Sequence, residues 1–202
     1  MSAFIGPIHY WLYGKIRLVN QRQEYLREKV GEMCGATADE LWDQVAQSYG
    51  EPLPDKDLNE LIAHDNIHGW LQRQINLSES REAAFIKELT DTCGGAAEDL
   101  ISKAFAEHGK QTGEAAAASG RYELDSAAGI LKALNDYYLN GMPCDAGDCV
   151  ISLHQTNWQR AGADQAAMRS YYELWLKGFV QGANAKFTYT LDGESHQINP
   201  SA

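Results

Sequence analysis

From Pro7 to Cys34 the chain carries a single apolar stripe. Ile8, Leu12, Ile16, Val19, Leu26, Val30 and Met33 recur at spacings of mostly three and four, the period of a helix with one buried face. Pro7 suits the first turn of such a helix, and Gly35 suits its stop. A helix this long needs others to cover its stripe. The same period predicts them near residues 38–49, 58–76, 80–93, 96–111, 124–139 and 164–183, with Ser78 and Ser80 introducing the helix at 80. The small, polar stretch "TGEAAAASG" is expected to be a mobile loop. The pattern shows no internal repeat and no obvious linker.

After residue 140 the period changes. "CVISLHQTNW" is rich in β-branched and aromatic residues and reads as a strand. Asp192-Gly193 is a two-residue turn signal, which sets Leu191 opposite Glu194, Tyr189 opposite His196 and Phe187 opposite Ile198. One face of that hairpin carries Phe187, Tyr189, Leu191, His196 and Ile198; the other carries Thr188, Thr190, Ser195 and Gln197. The expected fold is α+β: one mainly helical domain over 1–202, helical to 140 and mixed over 141–202, with a small antiparallel sheet that includes the C-terminal hairpin.

The formal charge of −11 repels phosphate backbones and anionic lipid, so no nucleic-acid partner and no membrane partner are expected. The apolar N-terminus is interrupted by His9, Lys15 and Arg17 and lacks the pattern of a signal peptide. No run reaches the length of a membrane span. A cytoplasmic location is therefore expected, with Cys34, Cys93, Cys144 and Cys149 as reduced thiols or ligands rather than staples. Cys34 and Cys93 each precede glycine at a predicted helix end and read as structural. Cys144 and Cys149 are spaced too widely for a zinc knuckle, and Asp145 and Asp148 oppose a thiolate there.

The candidate site rests on histidine and tryptophan. In "LNELIAHDNIHGWLQRQIN", Leu61, His64, His68, Leu71 and Ile75 fall on one helical stripe. His64 and His68 are thus expected on a buried face, where three roles are open: hydrogen-bonded core residues, metal or haem ligands, or a catalytic base. "GPIHYW" sets His9 near Trp11, "NIHGW" sets His68 near Trp70, and "LHQTNW" sets His154 and Trp158 on one face of the expected strand. If these faces converge, they line an interior pocket for a small molecule. The expected ligand contacts are His9, Trp11, His64, His68, His154, Trp158 and Cys144; the expected metal or haem ligands are His9, His64, His68 and His154. No phosphate loop or nucleophile elbow is present.

The segments "GPIHYWLY", "NIHGWLQ", "LNGMPCD" and "YYELW" together resemble a family of uncharacterised bacterial proteins, which implies no particular activity. The C-terminal helix "YYELWLKGFVQGANAKF", with Gly178 and Gly182 and a hairpin behind it, is similar in layout to 4-vinyl reductase-type small-molecule-binding domains and to the aminothiazoline-carboxylate hydrolase family. Those families often carry cysteines around the final hairpin. Here Gly193 and His196 stand there, so their chemistry does not transfer. The functional expectation is a cytosolic protein that binds a small molecule, metal or haem. The alternatives are a hydrolase or lyase with a buried histidine as general base, and a structural or interaction subunit, with a homo-oligomer possible in any case.

Overall fold

Helix α1 spans Pro7–Cys34, the full length of its stripe. The computed structural model describes residues 5–139, 155–192 and 195–201. Ile16, Val19, Leu26 and Val30 of α1 are buried, but the ends of the stripe are not: Ile8 and Met33 are exposed. Between Val19 and Leu26 the apolar stripe has a gap. Arg22 and Gln23 fill it, and both are buried. That gap is where the long helices meet through polar groups.

Helix α2 (Ala36–Tyr49) follows Gly35, and a one-turn helix α3 (Leu58–Leu61) follows the proline loop. The chain then turns through 62–66, and α4 runs unbroken from Ile67 to Cys93. The expected helices at 58–76 and 80–93 are therefore corrected at both boundaries. Ser78 and Ser80 lie inside α4, and every residue from Ser78 to Ile86 is buried, polar ones included. This stretch has no wet face because α1 covers its polar side. Arg22 forms a two-pronged pair with Glu82 at 2.8 Å and 2.8 Å, and the Tyr172 hydroxyl donates to the same carboxylate at 2.6 Å. Arg81 donates to Gln23 and to Asn20, both at 2.8 Å. Burial works against the Arg22 charge, but the adjoining Glu82 carboxylate and Tyr172 more than reverse this, so the guanidinium holds its proton more tightly than usual. Removing one partner of such a buried pair costs about 3–5 kcal/mol.

Helix α5 (Gly95–Ala118) absorbs the segment expected to be a mobile loop as far as Ala118. Its alanines are strong helix formers, and Gly113 within it is a packing position. Helix α6 (Ala127–Tyr137) is capped by Ser126 and α8 (Gln165–Ala183) by Asp164, each side chain accepting a backbone N–H bond. Helices α5 and α8 approach each other at glycines. A Cβ on Gly109 would meet the Trp175 carbonyl oxygen at 2.1 Å, and one on Gly113 would meet that of Phe179 at 2.1 Å. The contact is reciprocal: a Cβ on Gly178 would meet the Ala106 carbonyl oxygen at 2.2 Å, and one on Gly182 that of Lys110 at 2.1 Å. The spaced glycines of the C-terminal helix thus serve helix packing.

The strand expected over "CVISLHQTNW" is corrected where it is described: Gln155–Arg160 is a short helix, α7. Asn157 donates to Glu79 at 2.7 Å, and Trp158 is fully buried against the Tyr172 ring. These anchors in α4 and α8 outweigh a local strand preference, which depends strongly on context. Strands β1 (Phe187–Asp192) and β2 (Ser195–Pro200) form the antiparallel hairpin. Its register differs from expectation by two residues: Leu191 pairs with His196, Tyr189 with Ile198 and Phe187 with Pro200. A shift of two preserves the faces. Tyr189 is buried, and Phe187 and Ile198 pack on the core. The architecture is mainly helical α+β, with this two-stranded sheet at its C-terminal end.

Helices α1 and α4 are equivalent, which corrects the reading of no repeat. His9 meets His68 at one end and Cys34 meets Cys93 at the other, both pairs 59 residues apart in sequence. The two helices therefore run parallel and in register. At that same offset Ile8 matches Ile67, and Trp11-Leu12 matches Trp70-Leu71. Ile16 then matches Ile75, Leu18 matches Leu77, Arg22 matches Arg81, Cys34-Gly35 matches Cys93-Gly94, Ala38 matches Ala97 and Leu41 matches Leu100. Burial repeats too: Leu26 and Phe85, Val30 and Leu89, and Ala38 and Ala97 are all buried. The polar pairs are reciprocal, Arg22 with Glu82 and Arg81 with Gln23. Helix α2 packs on α4 as α5 packs on α1. The halves α1–α2 and α4–α5 are thus related by an approximate two-fold axis parallel to α1 and α4. Such a self-complementary arrangement is the internal counterpart of a symmetric dimer interface.

Candidate functional site

The expected histidine pocket is only partly assembled. His9 and His68 do meet, with Nε2 atoms 3.5 Å apart and ring centroids at 5.1 Å. His9 is buried while His68 is exposed. The Gly6 N–H donates to His9 Nδ1 at 2.8 Å, so the neutral ring carries its proton on Nε2 and presents it to His68. A metal at His9 Nε2 would have to displace that proton. His64 is exposed on the turn before α4, beside the Asn59 carbonyl at 3.1 Å, and does not join the pair. The expectation that His64 and His68 lie on a buried stripe is corrected, because the helix breaks between them. Trp158 lies in the main core, and its Nε1 finds no acceptor among the described residues. His154 and Cys144 fall outside the described residues. Among those that are described, no three His, Cys, Asp or Glu side chains converge as a metal site would require.

The two remaining histidines are held by aromatic neighbours. Trp175 Nε1 donates to His108 Nδ1 at 3.0 Å. Burial, reinforced by the Arg22 charge, pushes the His108 pKa down to about 3, which makes it a weak base at neutral pH. His196 bonds the Tyr189 hydroxyl across the hairpin, and burial lowers its pKa. Tyr189 is buried, so this contact belongs to the core edge.

Trp11 belongs to a different constellation, centred on Asp136. The Trp11 Nε1–H donates to one Asp136 oxygen at 2.9 Å, and the Tyr122 hydroxyl donates to the other at 2.8 Å. The Arg121 guanidinium stands 3.6 Å from that second oxygen and lies over the Tyr122 ring. Burial and the bond to Asp136 both raise the Tyr122 pKa, so its hydroxyl remains a donor. These groups come from α1, the α5–α6 connection and α6. They line an open cleft of about 590 Å³ together with Arg17 and Tyr137, a volume in the range of small-molecule sites.

Behind Trp11 stands Lys15. It is 1% exposed, its Nζ sits 3.4 Å from the Trp11 ring centroid, and it finds no hydrogen-bond acceptor among the described residues. Burial pushes its pKa down to about 7, against the pull of Asp136. A buried amine without an acceptor is costly, and groups perturbed in this way cluster at functional sites. Trp11 is the one residue of this cleft that sequence reasoning singled out. Arg121, Tyr122 and Asp136 carry no spacing signal, because three separate segments bring them together with Trp11.

No family model matches the chain, and no curated protein and no solved structure matches it either. No helix among the described residues is long and apolar enough to cross a membrane.

Proposed function

We propose that the protein binds a small, flat organic anion in the cleft between α1 and α6. The observation that carries this reading is the convergence of Trp11, Tyr122 and Arg121 on Asp136 at the wall of that cleft. Asp136 fixes the Trp11 and Tyr122 rings in the cleft wall, and with Tyr137 they supply aromatic surface for a planar ligand. Arg17, which pairs with Asp55, and Arg121, beside Asp136, place two guanidinium groups in the cleft lining, whose remaining donors suit a carboxylate-like group. Lys15, with its pKa lowered to about 7 by burial, adds a partial positive charge behind the Trp11 wall at neutral pH.

The test is titration of the full chain with aromatic carboxylates (benzoate, 4-hydroxybenzoate, indole-3-acetate) and with their uncharged amides, followed by calorimetry. Saturable binding of at least one carboxylate, weakened roughly 10- to 100-fold in Arg121→Ala and lost in Trp11→Ala, is expected. Absence of saturable binding across the panel, or binding that neither substitution changes, refutes the assignment.

A further inference from the structure

We propose that Cys34 and Cys93 are a modification site: a dithiol pair that closes to a reversible disulfide and ties the C-terminal end of α1 to that of α4. The argument starts from the repeat. Only residues beside a two-fold axis can touch their own equivalents, and Cys34 and Cys93 do so, with sulfurs 2.7 Å apart. That is about 0.7 Å beyond a disulfide bond length, so closure needs a small movement of two side chains.

The backbone is set for it at both ends. Gly35 and Gly94 adopt nearly the same left-handed conformation, φ 55° and 65°, and each N–H closes the last turn on Gly31 or Thr90. Each cysteine is thereby delivered as the last residue of its helix, facing the axis. Both thiols are free and half-buried, packed on the main core yet reachable from solvent. The site is remote from the Asp136 cleft and does not depend on the binding reading.

The oxidant is a low-molecular-weight disulfide. One cysteine loses its proton and its thiolate attacks a sulfur of that disulfide, expelling one small thiol and leaving a mixed disulfide. The second cysteine then loses its proton and attacks the protein sulfur, forming the Cys34–Cys93 bond and expelling the second small thiol. Two protein thiols are oxidised and one small disulfide is reduced. Burial, and next the neighbouring Cys93, push the Cys34 pKa up to about 11. Thiolate is therefore scarce at neutral pH, and closure is slow there.

The experiment treats the full chain, wild type and Cys144→Ser/Cys149→Ser, with oxidised glutathione between pH 7 and 9. It reads intact mass, the unreduced peptide map and the unfolding midpoint. Expected are loss of two hydrogens, a peptide joining Cys34 to Cys93, and a rate rising roughly tenfold per pH unit. The midpoint should rise by about 5–10 °C and return on addition of dithiothreitol. Cys93→Ser should stop at the mixed disulfide; if that variant does not fold, the wild-type peptide map decides alone. Independent alkylation of both thiols after treatment, arrest of the wild type at the mixed disulfide, or a bridge to another cysteine would overturn the proposal.

Discussion

Replacing Lys15 by methionine should make the protein more stable. Lys15 is 1% exposed, and among the described residues its amine stacks on the Trp11 ring without a hydrogen-bond acceptor. Its pKa falls from an ordinary 10.5 to about 7 through burial. At pH 7 that difference corresponds to about 4 kcal/mol of destabilisation relative to the unfolded chain, with the attraction of the indole for the ammonium already included in it. Methionine keeps the stem without the charge, so a gain of about 4 kcal/mol is expected, or about 8–16 °C in midpoint. The gain has a pH signature. Between pH 7 and 10.5 the unfolded chain holds the Lys15 proton more tightly than the folded one, so wild-type stability rises across this window through this group. The variant lacks that rise, and the gap between the two should be widest at pH 7 and close by about pH 10.5. Urea unfolding followed by far-UV circular dichroism measures it free of the altered Trp11 fluorescence. A variant less stable than wild type at pH 7, or a gap that does not narrow with pH, would show that the ammonium is better solvated than its surroundings indicate.

Three further substitutions test the fold. His108 has a folded pKa pushed down to about 3, so the unfolded chain takes up the proton first as pH falls below about 6.5. Wild type should lose roughly 1.5 kcal/mol through this group between pH 6.5 and pH 5. In His108→Gln that share of the loss should vanish, and equal falls in both proteins would refute it. Gly178→Ala forces a Cβ to within 2.2 Å of the Ala106 carbonyl oxygen and should cost about 3 kcal/mol or more. Gly31→Ala, with nothing within 4 Å of its added Cβ, should instead stabilise by about 0.5–1 kcal/mol. Urea midpoints that do not separate the two would mean that α5 and α8 part easily.

Local pattern sufficed for elements whose neighbours along the chain determine them. Helix α1, closed by Pro7 and Gly35, and α8, closed by Asp164, match their apolar period closely. The hairpin kept its faces although its register moved, because alternation is local while register also depends on what packs beneath Tyr189. The candidate site was less legible. Trp11 could be picked out as a bulky residue beside a histidine. Its partner Asp136 lies 125 residues away, and no pattern within either segment encodes that pairing.

The residues along the chain, taken alone, established a mainly helical protein, its long first and last helices, and a terminal hairpin, since helix period, caps and turn residues act over a few positions. Only the folded molecule decided that Ser78 to Ile86 continue one helix, that His64 faces water, and that two halves pair about an axis. The physical reason is compensation at a distance. Serines, glutamates and arginines within α4 look like a helix boundary in isolation. They are tolerated in the interior because Asn20, Arg22 and Gln23, about 60 residues earlier, satisfy them there.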